Sequence, residues 1–266
     1  RGNVAGLVCF CVAAFFLCGF HFRQPLAAAL LLAIAINLKL TPAVFLGALL
    51  SKSFHGRAKV LAWTPVFSLL LLVASYSLVK AVFPWYDLGD LFAGFSTYNE
   101  LYVARDAGMA HGSSLGMLKF FFGYSALLRY IPLAVCLLFL GYALFVRAQA
   151  KLYPEHYAFI LTMLFVAGSP VTGDYYLTML FIPILLSYVR LSRTPVPQHG
   201  KKSSLVIVLG ALLTMFPKNY LFEKQISYQV VLNPLLLIAF SALVLRLAAA
   251  ETLRLPRRVP EETSMD

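Results

Sequence analysis

An all-α bundle of several membrane-crossing helices is the fold class this sequence predicts, and three observations predict it. Of its 266 residues, 61% are hydrophobic and only 12% are charged, with a mean hydropathy of +0.80. That balance is far from a soluble globular composition and fits a polytopic membrane protein. The apolar residues collect in runs of helical length rather than in short alternating stretches. Two of these runs, 25–38 and 42–50, are too short to cross a bilayer core of about 30 Å, which takes about 20 helical residues.

The runs cover 4–20, 25–38, 42–50, 58–83, 124–146, 153–167, 175–189, 205–216 and 230–247, and each is read as a helix. The short pair meets at Asn37-Leu38-Lys39-Leu40-Thr41-Pro42. Pro42 lacks an N–H and biases Thr41 away from the helical region, so the helix breaks there. Two arrangements are open. One is a single kinked span with Lys39 near its middle. The other is a hairpin of two half-length helices whose turn sits at membrane depth. A lysine at that depth is costly and normally faces a water-filled cavity or an anion. Irregular backbone is tolerated there only against protein or a cavity. The plainer alternative has Lys39 snorkelling to an interface.

The net charge is +11. In a soluble protein that would point to nucleic acid. Here the Lys and Arg fall between apolar runs, so no nucleic-acid partner is expected. The connections 21–24, 52–59, 147–151, 190–202 and the tail from Arg246 hold 14 of the 22 basic residues, which marks them as cytoplasmic. They alternate strictly with the other connections only if 25–50 is a hairpin. The hairpin is therefore the expected arrangement, with Lys39 toward the outer side.

The connection 84–123 is the long one, and long loops are usually functional. It carries Trp85, Tyr86, Tyr98, Tyr102, His111 and Ser113-Ser114. A short interfacial helix is expected at its end, over 115–122. Its aromatics read as interface anchors, and His111 as an ordinary loop histidine or a catalytic group. The connection 190–202 reads as a solvated, Pro-rich linker. Pro170 and Gly173 interrupt two further short runs, and Asp174 opens the next helix, where a carboxylate is favoured. Asp174 is then an N-cap, or a carboxylate facing a cavity and able to bind a sugar hydroxyl or orient a proton transfer. Cys9, Cys11, Cys18 and Cys136 lie inside apolar runs without zinc or redox spacing and are expected as buried free thiols. No phosphate-cradling glycine loop, metal-ligand cluster or Ser/His/Asp signature is present, and no metal or cofactor is expected.

Four short elements carry a resemblance to a known family. Gly2-Asn3-Val4 opens an apolar helix. Ala35-Ile36-Asn37-Leu38-Lys39-Leu40-Thr41-Pro42-Ala43 follows. Then come Gly112-Ser113-Ser114-Leu115 and Ser169-Pro170-Val171-Thr172-Gly173-Asp174-Tyr175-Tyr176, with Pro183 beyond. In this order they resemble the motifs of glycosyltransferase family 87, the polytopic GT-C mannosyltransferases that use polyprenyl-phosphate sugars. Gly173 stands where the family has tryptophan and Tyr175 where it has histidine.

The resemblance implies a GT-C-like bundle with broken, half-length helices. It implies a membrane glycosyltransferase that moves a mannose-like hexose, with inversion, from a polyprenyl-phosphate carrier to a lipid or glycan acceptor on the extracytoplasmic face. Lys39 would bind the donor phosphate. Asp174 is the expected catalytic residue, and Asn3, His111, Ser114 and Tyr175 the expected substrate-binding residues. Such enzymes place an acidic base in their first outer loop. That base is expected upstream of Arg1, in a longer protein of which this chain is the later part. Residues 1–252 are expected as one transmembrane domain and 253–266 as a disordered cytoplasmic tail. The expected location is the plasma membrane, the bacterial inner membrane, in contact with membrane lipid. A secondary transporter or lipid-linked-sugar flippase is the rival, since broken helices with a central cation are also a transporter feature. A non-catalytic membrane subunit is a third reading.

Overall fold

The computed structural model describes residues 2–98, 118, 122, 130–149, 152–168, 174–192, 201–216 and 229–253. Among them every regular element is helical, as the apolar runs predict. Helix α1, Gly2–Leu17, runs on through a π turn, Cys18–Phe22. Helix α2 is Pro25–Leu38, and a first 3-10 helix covers Thr41–Leu50. Then come α3, Arg57–Val82, α4, Leu88–Tyr98, α5, Tyr130–Gln149, and α6, Pro154–Gly168. A second 3-10 helix, Asp174–Leu180, leads into α7, Phe181–Ser192, and α8, Lys201–Met215, and α9, Gln229–Leu253, follow. Among the described residues, three helical stretches are long and apolar enough to cross a membrane: Val4–Phe22, Arg57–Val82 and Leu232–Ala250.

The path of the first third follows from one close contact. Gly56 has φ +64° and lies so near Pro25 that a Cβ on it would sit 2.6 Å from the proline Cβ. Pro25 opens α2 and Gly56 precedes α3, so both helices start at one place. Further on, Asn37 Nδ2 donates to the Ser68 carbonyl at 3.2 Å. Asn37 is as far from Pro25 along α2 as Ser68 is from Gly56 along α3. The two helices therefore run parallel. The segment between them must return the length of α2, about 21 Å at 1.5 Å per residue. Ten residues as an α-helix would cover only about 15 Å, but at the 3-10 rise of about 2.0 Å they cover about 20 Å. The sequence predicts a helix over 42–50. The 3-10 form, unusual at this length, is what the return distance requires.

The returning limb packs antiparallel on α6. Phe45 meets Phe165 with ring centroids 5.8 Å apart, Gly47 faces Leu161, and the side chain of Ser51 hydrogen-bonds the Tyr157 hydroxyl. Around this limb lies a core of phenylalanines. Phe16 sits edge-on to Phe45 at 6.0 Å, Phe15 lies 5.3 Å from Phe54, and Phe20 lies 4.9 Å from Phe54. Such pairs contribute about 0.5–1.5 kcal/mol each beyond the area they bury. Much apolar surface remains outside. On α3, Leu61, Leu69, Leu78 and Val82 are exposed.

The bundle has two distinct ends. His55 donates its N–H to the Gly19 carbonyl at 2.9 Å, which joins the turn before α2 to the turn before α3. Arg23, Lys52, Arg57 and Lys59 share this end. Ser51 and Arg147, both bonded to Tyr157, bring the start of α6 and the end of α5 to it. An ion pair between Arg190 and Glu155 brings the end of α7, and Ser203 and Ser204 bring the start of α8. The turn at Lys39 points the other way. The described parts of the basic connections 21–24, 52–59, 147–151 and 190–202 thus meet at one end of the bundle, and the Lys39 turn lies on the other side.

Two expectations are corrected. The connection 84–123 reads in the sequence as a long loop with a helix at its end, but α4, Leu88–Tyr98, lies inside it. Its start is a reciprocal cap: Asp90 N–H donates to Asp87 Oδ1 and Asp87 N–H to Asp90 Oδ2, each at 2.9 Å. The linker expected over 190–202 is shorter, because Arg190 belongs to α7 and Lys201 opens α8. The interfacial helix expected over 115–122 falls almost wholly outside the described residues. So does the tail expected over 253–266, except Leu253, which ends α9.

The seating of α3 on α2 is open to test. An alanine at position 56 must adopt a left-handed backbone, which costs about 1–2 kcal/mol, and press on Pro25. Gly56→Ala is expected to lower stability by about 2 kcal/mol or more. Gly141→Ala, on α5 with nothing within 4 Å, is expected to be neutral or stabilising. Denaturant unfolding in micelles compares them, and equal stabilities would remove the Gly56 contact from this account.

Candidate functional site

The polar break between α2 and the first 3-10 helix is built by local bonds. The Lys39 N–H still donates to the Ala35 carbonyl at 3.0 Å, closing the last turn of α2. Lys39 itself is extended, with φ −158° and ψ 135°. Leu40 is helical again and its carbonyl accepts from Ala43 N–H at 3.1 Å. Pro42 falls in the first turn of the new helix, where its missing N–H costs nothing. The break is therefore at Lys39, two residues before the position at which proline restricts the chain. The Lys39 side chain is half-buried and Leu40 is exposed.

Asn37 fastens this turn. Its amide donates to Ala33, one turn back at 2.9 Å, and to Ser68 on α3. Helix α3 rises about 39 Å over its 26 residues, and Ser68 lies about 17 Å from its start. The turn of the hairpin therefore lies level with the middle of the longest apolar helix, and α3 continues well past it. Asp174 and Tyr175 open the second 3-10 helix. Four residues on, the Thr178 carbonyl accepts from Cys9 Sγ at 3.3 Å, which sets that helix beside the first half of α1. Asn3 is in the first turn of α1. Asn3, Asp174 and Tyr175 thus fall toward the end of the bundle away from the basic loops, and Lys39 lies on that side at mid-height. His111 and Ser114 lie outside the described residues.

A second polar cluster was missed in the sequence, at the opposite end. Glu155 and His156 are buried in the first turn of α6, behind Tyr153 and Pro154. The Glu155 carboxylate pairs with Arg190 of α7 and accepts from Ser204 Oγ of α8 at 3.3 Å. The Arg190 guanidinium also lies 3.4 Å over the Tyr153 ring, a cation–π contact. The Tyr153 backbone N–H donates to His156 Nδ1 at 3.2 Å, and His156 Nε2 lies 3.1 Å from Ser203 Oγ. Serine, histidine and glutamate side by side invite a catalytic reading, but the geometry opposes it. Nδ1 accepts this hydrogen bond and so carries no proton; the ring proton sits on Nε2, which donates a hydrogen bond to Ser203 Oγ. A general base would have to accept from that serine. The cluster is a clasp joining α6, α7 and α8. Its signal in the sequence was Tyr-Pro-Glu-His at the head of an apolar run. Proline at the first helical position and a side chain two residues later reaching back to the cap make a helix start of the capping-box kind.

Among the described residues, no three His, Cys, Asp or Glu side chains are placed to hold a metal ion. No protein-family model, no curated protein and no solved structure matches this chain.

Removing one partner of the clasp leaves a buried charge. Glu155→Ala and Arg190→Ala are each expected to cost about 3–5 kcal/mol of stability, with the double variant losing clearly less than the sum. A double-mutant cycle on unfolding in micelles measures this, and additive losses would show that the pair is not coupled.

Proposed function

We propose that this chain works as a membrane glycosyltransferase of GT-C type, taking a mannose-like hexose from a polyprenyl-phosphate carrier to a lipid or glycan acceptor. The observation that carries the reading is the position of Lys39: a half-buried cation on extended backbone, at a hairpin turn level with the middle of α3. A cation so placed suits an amphiphile with a phosphate head and an apolar tail better than a freely soluble nucleotide sugar. The exposed apolar surface of α3 beside it suits the tail.

In the proposed reaction an acceptor hydroxyl attacks the anomeric carbon from the face opposite the phosphate. The bond from that carbon to the phosphate oxygen breaks, and the configuration inverts. The acceptor proton passes to a carboxylate. Charge on the phosphate grows as the sugar leaves, so a contacting ammonium counts most in the transition state. Asp174, on the first residue of a helix at the same end of the bundle, is the carboxylate assigned to the sugar or acceptor, with Tyr175, Asn3, His111 and Ser114 as its companions. The basic end is the cytoplasmic one and the Lys39 end the outer one, in the plasma membrane.

The reading is tested by transfer of labelled sugar from a polyprenyl-phosphate donor in membranes, with the abundance of each variant checked. Lys39→Ala is expected to lose about 10²–10³-fold in rate, and Lys39→Arg to retain part of it, because a planar guanidinium does not replace a compact ammonium. Asp174→Asn is expected to be severe if the carboxylate takes a proton, since asparagine caps a helix almost as well. Near-normal transfer by Lys39→Ala would end the phosphate role. Translocation of the carrier lipid without any sugar transfer would favour a flippase.

The orientation has its own test. Cysteines replacing Lys52 and Lys201 are expected to react only from the cytoplasmic side, and one replacing Trp85, at the far end of α3, only from outside. Labelling of Lys52→Cys from outside would invert the orientation and the placement of the reaction.

A further inference from the structure

The basic end of the bundle carries a surface that the transfer reaction does not use. Two connections meet there. The turn 21–24 and the loop 51–56 are joined by the bond from His55 N–H to the Gly19 carbonyl and by the seating of Gly56 on Pro25. Their juxtaposition gathers Arg23, Lys52, Arg57 and Lys59, all exposed. The sequence has no acidic residue before Asp87, so α1, α2, the first 3-10 helix and the start of α3 offer these cations no partner. Glu155, the acid at this end of α6, is buried and paired with Arg190. Among the described residues, none of the four cations is in an ion pair.

The same surface is apolar at its edge. Phe22 is 63% exposed and Leu26 is 50% exposed, on either side of Arg23 and Pro25. Arg23 is held in the left-handed region at φ 56°, with its N–H bonded to the Cys18 carbonyl. The chain thus turns sharply between Phe22 and Leu26 and leaves both outside. Four cations beside an exposed aromatic and an exposed leucine complement an anionic headgroup with acyl chains below it. Nucleic acid or an acidic peptide would match the charge and leave Phe22 and Leu26 in water.

We propose that this junction is a docking surface for acidic phospholipid, with the headgroup phosphate against Arg23, Lys52, Arg57 and Lys59 and the acyl chains along the first turns of α2 and α3. The proposal is independent of the glycosyltransferase reading, since it concerns the other end of the molecule and no chemistry.

Trp63 reports on it directly. It lies six residues after Arg57 on α3, about 9 Å along the axis, and is exposed. In the intact chain carrying Trp85→Phe, Trp63 is the only tryptophan. Reconstituted into vesicles, it is read by quenching from brominated phosphatidylglycerol and, separately, brominated phosphatidylcholine, each diluted in unbrominated phosphatidylcholine. The expected result is stronger quenching by the acidic lipid than its share of the bilayer gives, weakened by salt. Each of Arg23→Gln, Lys52→Gln, Arg57→Gln and Lys59→Gln should lower the preference by about fivefold at most. All four together should abolish it while quenching by phosphatidylcholine stays the same, which shows that the helix is still inserted. Equal quenching by the two lipids would overturn the proposal, as would a preference that survives all four substitutions. If the quadruple variant fails to insert, the single variants decide: no loss of preference in any of them overturns it.

Discussion

The seating of Gly56 on Pro25 is the contact from which the arrangement of the first 82 residues follows. It starts α2 and α3 at one point, and the bond from Asn37 to Ser68 keeps them side by side. The ten-residue limb between them then has to retrace α2. A limb of fixed length between fixed ends has little choice of rise per residue, and the 3-10 form is the answer. That limb presents Phe45 to Phe16 and Phe165, so the packing of α1 and α6 depends on the same constraint. The extended residue at the top of the hairpin is Lys39. Its height in the bundle is set by the length of α2, and its setting by the bond that Asn37 makes.

The two polar regions at opposite ends obey different rules. At the clasp, each of Glu155, His156, Arg190, Ser203 and Ser204 has a protein partner, and all but Arg190 are buried. Low dielectric makes a half-satisfied network costly and a satisfied one rigid. Such a network fixes how helices meet and offers little to a substrate. The Lys39 turn is half-buried and lies beside exposed apolar surface, so a ligand could approach it. Chemical types alone would have ranked the two regions the other way, because serine, histidine and glutamate look more catalytic than a single lysine.

Much of this architecture was legible in the sequence. The runs 25–38 and 42–50 are short, proline follows the break, and the basic connections alternate only if these runs form a hairpin. Those observations gave the helical class, the broken pair and the two ends of the bundle. Other features needed the fold. The 3-10 limb depends on where Gly56 lands, which no local propensity encodes. Arg190 looked like the start of a solvated linker because its partner Glu155 is 35 residues away in the chain. Asp87 and Asp90 sit in a stretch rich in polar residues, where the spacing that makes them a reciprocal cap does not stand out. The sequence assembled a candidate set of six residues. The structure places four of them on the side of the bundle away from the basic loops, with Lys39 at mid-height.

The hairpin is half as long as the helix beside it, and in a bilayer that inequality has a mechanical consequence. The two limbs would lie in one leaflet only, while α1 and α3 cross both. Over these elements the cross-section would then be larger on the basic side than on the other, like a wedge. Lateral pressure in the two leaflets would act on it unequally, and lipids of different molecular shape would strain or relax the hairpin. The depth of Lys39 would thereby respond to the composition of the basic-side leaflet.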